Sequence, residues 1–138
     1  MLGKLDNHLR FNELALSLRS TRQSVLASNI ANADTPNYKA RDIDFTSALQ
    51  SALANTNATG SLNTTAARHF QNPAPDGSTL ADGTPLQYRG VVQGAVDGNT
   101  VDMDVERNQF ADNALRYEAG VTFINSQIKG LMTAIQGQ

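Results

Sequence analysis

Near the carboxyl end of the chain, Phe110, Ala114, Tyr117, Val121, Ile124, Ile128, Leu131 and Ile135 follow one another at spacings of 4, 3, 4, 3, 4, 3 and 4. Only an α-helix keeps such residues on one side, and this alternation is that of the a and d positions of a coiled coil. The seam runs for about three and a half heptads and predicts a helix that needs another helix along it. Its start is marked by the turn Asp97-Gly98-Asn99-Thr100, with capping residues to hand. Asp102, Asp104 and Glu106 then stand where the positive end of a helix dipole favours acids. The helix is expected to begin between Asp102 and Glu106. Alternation of Val101, Met103 and Val105 leaves an extended lead-in open. Gly120 and Gly130 weaken the helix by roughly 1 kcal/mol each relative to Ala, so a partner must supply what they remove.

A second long helix is expected at the other end, from about Leu5 to Asn32. No Gly or Pro interrupts between Lys4 and Thr35. Leu2, Leu5, Leu9, Leu16, Leu26 and Ile30 fall near helical spacing, with Phe11, Leu14, Leu18 and Val25 on an adjoining stripe. At ~1.5 Å per residue the helix would be roughly 40 Å long. Asp34-Thr35-Pro36-Asn37 stops it: proline disfavours the helical conformation of Thr35, and Asn tolerates a left-handed one. Two stripes call for more than one neighbour.

Between the two, residues 54–84 are rich in Asn, Thr, Ser, Ala, Gly and Pro, and Leu62, Phe70 and Leu80 are the only large apolar side chains. That is too little to bury, and a loop is expected. Leu86 and Tyr88, then Val92 and Val96, alternate about Gly90 in the manner of a short β-hairpin. The fold class that follows is mainly α: an antiparallel coiled-coil pair of long terminal helices with an extended, loop-rich middle that has room for a short β-hairpin. By segment, residues 1–33 form the amino-terminal helix, 34–100 the extended middle and 101–138 the carboxyl-terminal helix.

With 138 residues, 40% of them hydrophobic and 6% aromatic, one domain is the limit. Eleven basic against thirteen acidic residues give a net charge of −2 without a Lys/Arg block, which favours neither nucleic acid nor an anionic membrane. No apolar run is long enough to span a bilayer, and Met1-Leu-Gly-Lys-Leu-Asp6 lacks the shape of a cleavable signal peptide. The absence of Cys removes disulfides and thiolate sites. His8 and His69 have no acid and nucleophile arranged about them, and no glycine-rich phosphate loop occurs. Asp97, Asn99, Asp102, Asp104 and Glu106 resemble a hard-cation set but not in calcium-loop spacing, and a helix start explains them better. The sequons at Asn57 and Asn63 are what a Thr/Asn-rich loop yields by chance. Neither catalysis nor any cofactor or metal is expected.

Asn29-Ile-Ala-Asn-Ala-Asp-Thr-Pro-Asn-Tyr38-Lys-Ala resembles the signature that ends the first helix of flagellar rod, hook and hook-associated proteins, usually Ala-Asn-Asn-Leu-Ala-Asn-x-x-Thr-Pro-Gly-Tyr/Phe. Arg41-Asp-Ile-Asp-Phe45, together with Asp97-Gly-Asn-Thr-Val-Asp-Met-Asp104, Gln109-Phe-Ala-Asp-Asn113 and Leu115-Arg-Tyr117, narrows the likeness to flagellar basal-body rod proteins. It covers residues 1–47 and 97–138 well and the middle poorly. Asn37 stands where the family often has Gly, and Asn is the next best residue for a positive φ. The resemblance implies a proximal-rod subunit in the periplasm, exported without a cleaved signal and folding on assembly. Its partners would be itself, other rod proteins, and ring, export-gate and adaptor proteins at the rod base.

Three groups of residues are singled out. Subunit packing falls to Leu9, Leu16, Leu26, Ile30, Phe110, Tyr117, Val121, Ile124, Ile128, Leu131 and Ile135. The family turn comprises Asn29, Asn32, Thr35, Pro36, Asn37 and Tyr38; Asn29 and Asn32 share a helical face, and their amides can bond the turn or a neighbouring subunit. Phe45 and Leu49, in Phe45-Thr-Ser-Ala-Leu49, resemble the short export-gate motif of early flagellar substrates, and as a plain sequence they also suit a short amphipathic helical turn packing locally. Other readings stay open: another axial component, a secretion chaperone or adaptor, or a private two-helix hairpin whose seam is its own core.

Overall fold

The computed structural model describes residues 2–55, 84–90 and 95–137. Two long helices dominate, α1 at Leu2–Ala31 and α3 at Met103–Gln136. Between them come a two-residue strand β1 (Arg41–Asp42), a shorter helix α2 (Phe45–Asn55) and a second two-residue strand β2 (Gln87–Tyr88).

The long helices start and stop where their residues dictate. Asp102, in extended conformation, caps α3: its side chain accepts from the backbone N–H of Asp104 and Val105. Asp104 and Glu106 occupy the first turn, and the helix begins inside the expected window. It ends at Gly137, whose φ of 71° is the left-handed C-terminal stop that glycine takes most readily. Helix α1 ends at Ala31, ahead of Pro36, and Asn37 turns the chain with φ 62°.

The helices run antiparallel. Asn29 meets Glu106, Arg19 and Gln23 meet Asn113, Leu16 meets Gly120, and Asn12 meets Gln127. On another face of α1, Leu18 and Val25 form a buried cluster with Ile43 and Ala48, against which Phe45, Leu49 and Leu86 pack. The two stripes of α1 thus do serve two different neighbours, α3 and the β1–α2 segment.

Helix α2 extends the short turn foreseen around Phe45 to eleven residues. Asp44 starts it, accepting from the N–H groups of Thr46 and Ser47 and from the Ser47 hydroxyl. The hairpin needs correction. Gln87–Tyr88 does form a strand, but its antiparallel partner is β1, with Arg41 opposite Tyr88 and Asp42 opposite Gln87. Ala40 accepts from the Arg89 N–H at 3.0 Å, extending that pairing. Among the described residues the strand pairs with the segment that follows the first turn, and Val96 of the expected second arm lies in a turn. Val92 of the expected second arm lies outside the described residues. So do Leu62, Phe70 and Leu80, His69, both sequons and nearly all of the expected loop.

Candidate assembly site

The family turn and the Asp97–Thr100 turn, quoted from opposite ends of the sequence, are one structure. The Asn99 amide, almost wholly buried, holds the turn that follows α1: its Nδ2 lies 3.0, 2.7 and 2.9 Å from the carbonyls of Asn32, Ala33 and Thr35. Asn99 is itself held by its N–H to the Asp97 carboxylate, and its side-chain oxygen accepts from the Val101 N–H. Asn37 donates its N–H to the Asp97 carbonyl at 3.0 Å, and Thr100 donates to the Tyr38 carbonyl at 3.1 Å. The Ala40 N–H reaches the Thr100 hydroxyl at 2.8 Å, and the Lys39 ammonium the Gly98 carbonyl at 2.6 Å. Gly98 has φ 75°, and a Cβ there would sit 2.6 Å from Asn37 Oδ1, so both conformation and space require glycine.

The two amides foreseen on one helical face do different work. Asn32 stays local, donating to the Ser28 carbonyl and accepting from the Thr35 hydroxyl. Asn29, fully buried, clamps the backbone of Arg41 like a strand: its Oδ1 accepts the Arg41 N–H at 3.1 Å and its Nδ2 donates to the Arg41 carbonyl at 2.7 Å. The Tyr38 hydroxyl donates to Asn29 Oδ1 at 3.4 Å. Pro36 sits exposed at the turn.

Beyond Asn29 lies a charged hub that the sequence did not disclose. Arg22 grips Asp42 through two bonds of 2.8 and 2.9 Å and also reaches Gln109 at 2.9 Å. Arg89 joins Asp42 at 2.8 Å to Glu106, whose other oxygen accepts from Asn29 Nδ2 at 3.2 Å. Burial pushes the Asp42 carboxyl up, but its hydrogen bonds to Arg22, Arg89 and the Ile43 N–H outweigh that and hold it below the usual carboxylate range. The bond to Asp42 raises Arg22 in turn, against desolvation. Glu106, with no exposed side-chain surface, goes the other way: desolvation raises it despite Asn29 and Arg89. Arg22, Asp42, Arg89 and Gln109 come from four separate places in the chain. No local pattern marks them, which is why periodicity missed them.

The helix pair meets along Glu106, Asn113, Gly120 and Gln127, seven residues apart and mostly polar. Asn113 is fully buried and donates to the Arg19 carbonyl at 2.8 Å and to Gln23 at 2.6 Å. Gly120 admits Leu16: a Cβ there would meet Leu16 Cδ2 at 2.8 Å. The expected a/d seam lies to one side of this line. Phe110, Val121, Ile124 and Leu131 are half-buried, while Tyr117, Ile128 and Ile135 are exposed, Ile135 to 84%. On α1, Leu26 is fully buried and Leu9, Leu16 and Ile30 are half-buried. Ser20 and Gln23 of α1 with Ala114 and Tyr117 of α3 line an open cleft between the helices. Farther round α3, Leu115 and Phe123 are exposed too, Leu115 to 68%.

Phe45 and Leu49 are folded in. Both pack against the buried cluster, and the Arg19 guanidinium lies 4.4 Å from the centre of the Phe45 ring. The acids once weighed as a cation set have other partners: Asp97 holds Asn99, Asp102 caps α3, and Glu106 belongs to the hub. Among the described residues, no helix is long and apolar enough to cross a membrane.

An antiparallel helix pair, closed by interlocked turns and left with an apolar flank, defines a class of helical assembly subunit. The sequence profile described as flagella basal body rod protein matches residues 9–39, the segment that carries the first turn. Relatives match over nearly the whole chain. The flagellar basal body rod protein FlgB of Proteus mirabilis is 51% identical over 99% of this chain and 98% of its own length. That of Salmonella typhimurium is 50% identical over 99% of both, and that of Escherichia coli 48% identical over 99% and 98%. The chain belongs to the FlgB family of flagellar basal body rod proteins. It is a structural component of the rod and assembles there with other rod components.

Proposed function

We propose that this rod subunit builds the proximal end of the rod, linking the membrane ring and export gate to the distal rod, enclosing the axial channel and transmitting torque. The observation that carries the reading is the seam beside the α1–α3 contact. Tyr117, Ile128 and Ile135 lie exposed on a folded helix pair whose own contact line is polar. A private hairpin would have turned that seam inward, whereas a subunit needs it for neighbours. Subunit packing is assigned to the seam of α3, with Leu9, Leu16, Leu26 and Ile30 supporting it from α1. The turn of Asn29, Asn32, Thr35, Pro36, Asn37 and Tyr38 holds the helix pair in the orientation that presents it. No catalytic role is assigned. The terminal segments 1–33 and 101–138 act as the assembly unit and 34–100 as the part that bridges them.

Deleting the chain in its host is expected to abolish motility and to leave membrane rings that carry no rod in electron micrographs. Rods of normal length in the deletion strain would refute the proximal position. Phe45 and Leu49 are proposed as export-gate contacts of the unfolded chain, since both side chains are partly buried against the cluster in the folded one. Replacing both with Ala should lower export; an export level equal to the parent's removes that role.

A further inference from the structure

Residues 84–90 hold to the rest of the molecule through separate anchors: Thr84 is buried, and the Arg41 guanidinium lies over the Tyr88 ring. Gln87 and Tyr88 are exposed, the pairing with β1 is two residues long, and Leu86 is only partly buried against the cluster of Leu18, Val25, Ile43 and Ala48. The distinctive anchor is Arg89, whose two nitrogens bind carboxylates from different elements: Asp42 of β1 and Glu106 of α3. The two acids are not equivalent. Asp42 keeps Arg22 whether or not Arg89 is present. Glu106, with no exposed side-chain surface, would keep the amide of Asn29 alone among the described residues. A buried carboxylate without its cation is strongly disfavoured, so Arg89 and buried Glu106 require each other. Glu106 comes to lie opposite Asn29 only when α3 has packed on α1.

We propose that residues 84–90 are a coincidence strap: Arg89 docks fully only when β1 and a correctly paired α3 present Asp42 and Glu106 together, so that these seven residues order in response to the pairing of the long helices. The coupling is reciprocal, and the docked strap stabilises the pair in turn. Arginine suits the task because its planar fork serves two carboxylates at once, which a lysine ammonium does less well. The inference does not depend on where in the rod the subunit sits.

The chain has no cysteine, so helix pairing can be imposed by an engineered disulfide between Leu16→Cys and Gly120→Cys, positions that face each other. Gly120 lies about 21 Å along α3 from Glu106, clear of the strap. Hydrogen exchange of the Arg89 amide, which donates to the Ala40 carbonyl, reads strap docking. It is measured in the full chain at a denaturant concentration where the reduced protein has lost about half its helix signal. Oxidation is expected to slow that amide about tenfold or more, and to have little effect on it once Glu106→Gln is added. Should Glu106→Gln lower the helicity of the oxidised protein, Arg89→Gln makes the same comparison without touching either long helix. The proposal is overturned if oxidation leaves the Arg89 amide unchanged. It is equally overturned if oxidation slows the amide as much in the Gln variants as in the parent.

Discussion

At the residue scale, single amides and carboxylates do work that a larger protein would leave to its core. Asn99 alone serves three carbonyls in the turn after α1. Asn99→Ala should remove that donor and destabilise the helix pair by about 1 kcal/mol, seen as a lower midpoint in urea with an unchanged slope. Gly98→Ala should cost at least about 1 kcal/mol through its positive φ, with the Asn37 contact adding to it. The hub gives a pH signature. The carboxyl of Asp42 is depressed in the fold, so its contribution is complete above the ordinary aspartate range and lost as pH falls through the depressed value. Glu106 is raised, so its contribution is present below the ordinary glutamate range and lost as pH rises through the raised value. Stability should therefore peak in the mildly acidic range. In Asp42→Asn the midpoint should be lower overall, and the fall below about pH 4 should be much reduced. An acid limb as steep as the parent's would assign it to other groups.

At the element scale, the two glycines of α3 separate packing from propensity. Among the described residues nothing lies within 4 Å of a Cβ added at Gly130, so Gly130→Ala should stabilise the isolated chain by up to about 1 kcal/mol. At Gly120 the same gain is opposed by the Leu16 methyl, and Gly120→Ala should gain less or lose. Thermal melts of the two variants side by side check the difference. What sequence reading captured belongs to this scale. Both long helices were legible because thirty or more residues repeat one period and because Asp102 and Pro36 mark ends by local chemistry. Helix α2 was legible only as a turn, since its apolar residues, Phe45, Ala48, Leu49 and Leu53, span barely three turns. The β1–β2 pairing was not legible, because two-residue strands carry no period and their partners lie 45 or more positions apart. The seam itself shows the limit of pattern: spacing located the apolar stripe of α3, but only geometry showed that α1 packs beside it, on Glu106, Asn113, Gly120 and Gln127.

At the scale of the whole molecule, that offset between apolar stripe and helix contact governs behaviour. Ile128→Asp and Ile135→Asp, at exposed positions, should leave the helix content and melting of the free chain within about 0.5 kcal/mol of the parent while abolishing motility. Loss of helix in the free chain would show the seam to be internal after all. The clasp that Asn99 places on the turn after α1 reaches back 64 to 67 positions along the backbone, and the hub joins residues as much as 87 positions apart. Closing such a loop is entropically opposed until both ends are present. An amino-terminal piece that stopped short of residue 99 would therefore lack the donor that closes its own first turn.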